Sequence, residues 1–216
     1  CGFQPEKLAL RGDKTRRTRP LFQRPANAQE LRNCIMLMVN RNYFLAVKAA
    51  ADSANFRSVI SVSEDQVERQ RHMEMASRFL VHAKVAYDGR LDVEEYIDEG
   101  IVTLAQEGDQ AGATQLIDKT FQLLDQAAGT DALRRFQNNT HVGKVGLVGF
   151  EGIAVGVAKN IDAILALGAP NAIDFVRGRL QAFWTAPENA NFTSPGLRGT
   201  IRIQRTVPFG EIWFRP

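Results

Sequence analysis

Apolar residues recur along most of this chain at the spacing of a helix, and small polar or glycine residues close each run. Residues 28–39 carry Leu31, Ile35 and Met38 at i, i+4 and i+7, which predicts a helix with that face inward. Asn27 stands at its N-cap, and Glu30 three residues later suits a capping box. Residues 42–53 read as a second, Ala-rich helix. Ser63 opens a long helix over residues 64–87 with Val67, Met75, Phe79, Ala83 and Ala86 as its stripe, ended by Asp88-Gly89. Asp92 caps residues 93–107, where Tyr96, Ile97, Ile101 and Leu104 point inward, and Gly108 closes that helix. Residues 109–127 follow with Leu116, Ile117, Phe121 and Leu124, and residues 131–136 read as a further helical turn or two.

The second half is less regular. Residues 142–160 are glycine-rich yet keep helical spacing through Val145, Val148, Ile153 and Val157. Each internal glycine costs about 1 kcal/mol against alanine, so such a helix is expected at the centre, with its glycines admitting neighbouring backbones. Residues 170–183 form a helix with Pro170 in its first turn. Residues 197–214 favour strand by residue type, through Thr200, Ile201, Ile203, Thr206 and Val207, but residues 192–214 also read as a helix broken near Pro208. Helix is expected, because nothing else in the chain offers a sheet partner. Residues 88–92, 129–131 and 187–195 are loops. The fold class is therefore mainly α: a multi-helix, bundle-like domain of about seven or eight helices with a basic N-terminal extension.

Composition narrows the class. The 44% hydrophobic and 24% charged content is that of an ordinary globular chain, and no run has the roughly 18 apolar residues of a membrane helix. The two cysteines, Cys1 and Cys34, build no disulfide framework, and Cys34 reads as a buried free thiol suited to a reducing cytoplasm. His72, His82 and His141 show no metal-ligand spacing, so no metal is expected. His72 and His82 read as surface or boundary residues. Charge is uneven. Residues 1–24 hold seven basic residues (Lys7, Arg11, Lys14, Arg16, Arg17, Arg19 and Arg24) against Glu6 and Asp13, a net +5, while the remainder is slightly acidic. Such an arm is a footprint for the phosphate of DNA or a nucleotide, or else a solvated tail.

Candidate chemistry is sparse. Arg24, Glu30, Arg32 and Asn33 form one constellation, since a guanidinium fork suits phosphate oxygens and an asparagine can bond a base edge. The structural alternative is that Glu30 caps the helix and Arg32 bridges to a neighbour. Glu74 and Arg78, at i, i+4 with the acid first, read as a helical ion pair. Gly143-Lys144-Val145-Gly146 looks superficially like a phosphate loop but lacks the required Gly-Lys-Ser/Thr order, and Arg134-Arg135 stands just before it. No catalytic triad or acid/base carboxylate pair is legible.

Three pieces occur in an order that resembles one family. They are Phe22-x-Arg24 before Gln29-Glu30-Leu31-Arg32-Asn33, then Met73-Glu74 with Arg78-Phe79-Leu80, then Leu133-Arg134-Arg135-Phe136 leading into the glycine-rich helix. The chain resembles the ParB-like, nucleotide-using subunit of GmrSD-type modification-dependent restriction systems over residues 20–160. The resemblance implies a phage-defence protein of the cytoplasm that couples binding or hydrolysis of GTP or another NTP, with Mg, to DNA recognition. It implies as partners DNA and an HNH-type nuclease in the same or another chain, and is compatible with a homo-oligomer. Residues 1–25 would be a basic arm or the edge of a ParB-like nucleotide domain, and residues 26–216 the helical domain. Arg24 and Arg32 would contact phosphate, oriented by Glu30 and Asn33. The family's Asp-Gly-Gln-Gln-Arg motif and the nuclease's His-rich signature are absent from this sequence, so the alternative is a non-enzymatic helical module that binds DNA or a subunit. The family also places a glycine-bearing turn between Phe-x-Arg and Glu-Leu-Arg, where only five residues separate Arg24 from Glu30. The 216 residues are therefore expected to be pieces of a longer polypeptide, with a junction at Arg24–Pro25 and a second before Gln4.

Overall fold

The computed structural model describes residues 27–194 and 196–216, and among these the fold is mainly α. The basic arm, Arg24 and the two expected junctions lie outside the described residues. Helices α1 (Ala28–Val39), α2 (Arg41–Ala51) and α3 (Ala54–Val59) are followed by α4 (Glu64–Glu68), α5 (Arg71–Lys84), α6 (Val93–Glu107) and α7 (Gln110–Ala128). A two-stranded antiparallel hairpin, β1 (Arg135–Gln137) and β2 (Thr140–Val142), comes next. Then α8 (Leu147–Gly149), a π-helical stretch (Phe150–Ala154) and α9 (Val155–Lys159) run on as one rod. The chain finishes with α10 (Ile161–Leu165), α11 (Ala169–Thr185), α12 (Ala190–Thr193) and α13 (Gly199–Trp213).

Two aromatic clusters organise the core. Phe121 of α7 meets Phe56 of α3 at 4.4 Å and Phe79 of α5 at 5.1 Å between ring centres. Phe183 of α11 gathers Trp184, Phe192, Phe209, Trp213 and Phe214 around it. The π-helical rod lies between α5, α7 and α13. Its glycines do what the sequence suggested: a Cβ on Gly156 would stand 2.5 Å from the Gly210 carbonyl oxygen of α13. Asn160 reinforces the contact, donating to the carbonyl oxygens of Gly156 and Glu211 at 2.9 and 2.8 Å.

Several expectations are confirmed. Asn27 and Glu30 form the capping box of α1, Asp92 caps α6, and Gly108 ends it at φ 69°. Residues 199–213 are helical, but α13 passes through Pro208 without the expected break. Others need correction. The long helix over residues 64–87 is interrupted at Gln70, which is left-handed at φ 59° and bonds through its side chain to Asn33. Residues 129–131 form a 3₁₀ turn rather than a plain loop, and residues 132–136 hold no helix. Arg135–Gln137 is a strand because Asn138 and Asn139 both take positive φ (51° and 60°), as a two-residue hairpin turn demands. The glycine-rich helix starts only at Leu147, after Gly143 turns the chain at φ 72°. Residues 187–193 carry a 3₁₀ turn and α12 rather than a plain loop.

The largest correction is the orientation of α1. Leu31, Ile35 and Met38 are 56%, 41% and 85% exposed, while Gln29, Arg32, Asn33 and Met36 are buried. Those four also sit at i, i+3, i+4 and i+7, so the helix has two continuous stripes. The polar one turns inward because α6 presents carboxylates to it. Cys34 is consequently exposed. His72 and His82 are buried, not at the surface, because α5 is enclosed by its neighbours.

Candidate functional site

The predicted constellation meets a polar seam between α1, α5 and α6. Glu30 accepts the Asn27 backbone N–H at 2.8 Å, and the Asn27 side chain accepts the Glu30 N–H at 2.9 Å. Arg32 donates from Nε to Asp98 at 2.5 Å and from Nη2 to Glu94 at 2.7 Å. Asn33 donates to Gln70 and accepts from Gln29 at 2.8 Å. Glu30, Arg32 and Asn33 are thus brought together at one end of α1, each with an internal partner. Arg24 is outside the described residues.

The seam continues onto α5. Glu94 also receives Arg78 Nη2 at 2.5 Å, and Glu74 receives Arg78 at 3.2 Å and Arg71 at 2.8 Å. The pair Glu74–Arg78 is the expected helical ion pair, extended by Glu94 into a chain of alternating charge. Burial opposes the charge on Arg32, but its bonds to Glu94 and Asp98 outweigh that and raise its pKa. Burial likewise pushes Glu94 up, and the bonds from Arg78 and Arg32 bring it below the ordinary carboxylate value.

Three groups escaped the sequence reading. Glu151, buried in the π-helical stretch, accepts Nε and Nη2 of Arg202, both at 2.9 Å. Its burial raises its pKa, against the pull of Arg202. A lone carboxylate inside an apolar, glycine-rich run was the available signal. The second is His82, whose pKa is pushed down to about 3 by burial and then by Arg78 and Arg202. Its Nδ1 is buried without a hydrogen-bond partner. The third is the Glu94/Asp98 pair itself, one turn apart on α6 and facing α1.

Among the described residues no group of three or more His, Cys, Asp or Glu is placed to hold a metal ion. No helix there is long and apolar enough to cross a membrane. In comparisons with known proteins, no family model, curated protein or solved structure matches this chain.

Proposed function

We propose that this chain is the helical part of a modification-dependent restriction protein and acts in it as a non-enzymatic DNA-binding module. The order of the Gln29–Asn33, Met73–Leu80 and Leu133–Phe136 pieces supports the family, and the net +5 of residues 1–24 supports a polyanionic partner. One observation carries the non-enzymatic reading. The three described residues assigned to a nucleotide are all satisfied within the fold: Glu30 as a cap, Arg32 by two carboxylates, Asn33 by Gln70 and Gln29. For Arg32 to hold a phosphate it would have to leave Glu94, which keeps Arg78, and Asp98, which is then unpaired, with both carboxylates beside the new anion. In this reading, GTP or another NTP with Mg is held by a nucleotide domain outside the helical body, and an HNH-type partner cuts the DNA.

The test is made on the whole chain with a fluorescent duplex. Arg32→Ala and Asn33→Ala should bind DNA like the parent per folded molecule, whereas charge reversal at Arg16, Arg17 and Arg19 should weaken binding. GTP and ATP should be turned over no faster than in buffer. Robust turnover, or loss of DNA binding by a folded Arg32→Ala variant, would overturn the proposal.

A further inference from the structure

A second surface carries the chemistry of nucleotide binding, and it does not depend on the basic arm. An open cleft of ≈ 580 Å³ lies between the hairpin, the loop before α8, and Thr193, Ser194, Gly196 and Leu197. Three basic side chains line it, Arg135, Lys144 and Arg202, and no carboxylate does. Arg202 is neutralised from behind by Glu151. Arg135 and Lys144 are exposed and form no ion pair among the described residues. Both therefore leave an uncompensated charge at the cleft they line.

The walls add a planar apolar surface. Trp184 and Phe192 line the cleft, and Trp184 is braced edge-on by Phe183 at 5.2 Å. Trp184 is half-buried, so part of the indole remains available to a ligand. Between cations and aromatics, Gly143 and Gly146 leave the backbone bare: a Cβ on either would meet nothing within 4 Å. The loop is held in place by Arg134, which donates to the carbonyl oxygens of Gly143 at 2.8 Å and His141 at 3.4 Å and pairs with Asp131 at 2.6 Å. The neighbouring arginines divide the work, Arg134 bracing the turn and Arg135 lining the cleft.

We propose that this cleft binds a nucleotide unit, its base lying against Trp184 and its phosphates reached by Arg135 and Lys144. Cations beside a braced aromatic face are what sequence-tolerant binding of unpaired nucleotides requires. The cleft is open to solvent; a nucleotide within a single strand and a free mononucleotide share this chemistry and are separated by experiment.

The probes are a ten-residue oligo-dT, dTMP and inorganic phosphate, added to the full chain while tryptophan fluorescence is followed. Trp184 and Trp213 are the two tryptophans, and Trp213 donates its indole N–H to the Arg179 carbonyl oxygen away from the cleft lining. Oligo-dT is expected to quench the Trp184 share of the emission, and inorganic phosphate to leave it unchanged. The double variant Arg135→Ala/Lys144→Ala, both exposed and so benign to folding, should bind oligo-dT at least about tenfold more weakly and lose about 1.4 from the salt slope, at about 0.7 per single-strand phosphate. Tighter binding of oligo-dT than of dTMP assigns the site to a strand, and equal binding assigns it to a free nucleotide. Absence of quenching by both, or quenching and affinity unchanged in the double variant, would overturn the proposal.

Discussion

Replacing Arg32 by alanine separates a bridge from a ligand contact. The Arg32 side chain is 4% exposed, and its partners Glu94 and Asp98 are 56% and 52% exposed. A fully buried ion pair broken at one partner costs about 3–5 kcal/mol, because a charge is left stranded. Here both carboxylates can turn to water, and Glu94 retains Arg78. The loss is then chiefly two charge-assisted hydrogen bonds and the packing of the buried stem, about 2–3 kcal/mol in all. For a domain of this size that lowers Tm by about 5–10 °C, at roughly 2–4 °C per kcal/mol. Arg32→Lys should fall between, since an ammonium keeps the charge but cannot reach two acids as a fork. Thermal and urea melts followed by circular dichroism measure this. A variant that melts with the parent, within about 1 °C, would refute the bridge.

Other outcomes are equally specific. His82 is neutral in the fold, with its pKa near 3 against 6.5 unfolded, so protons bind preferentially to the unfolded chain; stability should be full above about pH 6.5 and fall by up to about 1.4 kcal/mol per unit as pH drops towards 3. His82→Leu should flatten that slope in urea melts across pH 4–7, and an unaltered slope would count against the buried neutral imidazole. Gly156→Ala should destabilise by about 1–3 kcal/mol because its Cβ would strike the Gly210 backbone, overriding the gain in helix propensity. Gly178→Ala, in α11 with nothing within 4 Å, should instead stabilise by about 0.4–1 kcal/mol, and equal signs for the two would contradict the packing described.

Local signals were readable where the chain itself enforces them. The Asp92 cap and Gly108 terminator bound α6 within residues that touch each other, and the glycine spacing around Gly152 and Gly156 announced close backbone contact. What failed depended on distant partners. Periodicity showed that α1 is a helix but not which of two stripes faces inward; that was decided by Glu94 and Asp98, more than sixty residues away. The break at Gln70 was hidden because the apolar stripe continues past it, and the left-handed residue is held by Asn33 from another helix. The hairpin was lost because three-residue strands carry little pattern, although Asn138-Asn139 was a usable turn signal. Of the candidate site, Glu30, Arg32 and Asn33 do assemble, but their partners could not be read from α1 alone.

The central claim is that DNA is met by the basic arm while Arg32 works inside the fold. The salt dependence of duplex binding tests it most directly, measured for the intact chain, for Arg32→Ala and for a chain lacking residues 1–19. Each phosphate neutralised contributes about 0.9 to the slope of log K against log salt, so the six charges removed with that segment set a ceiling of about 5 on the change. The account predicts a loss of several units on deletion and no change for Arg32→Ala below its melting temperature. A slope unchanged by the deletion, or one lowered by about one unit in folded Arg32→Ala, would contradict it.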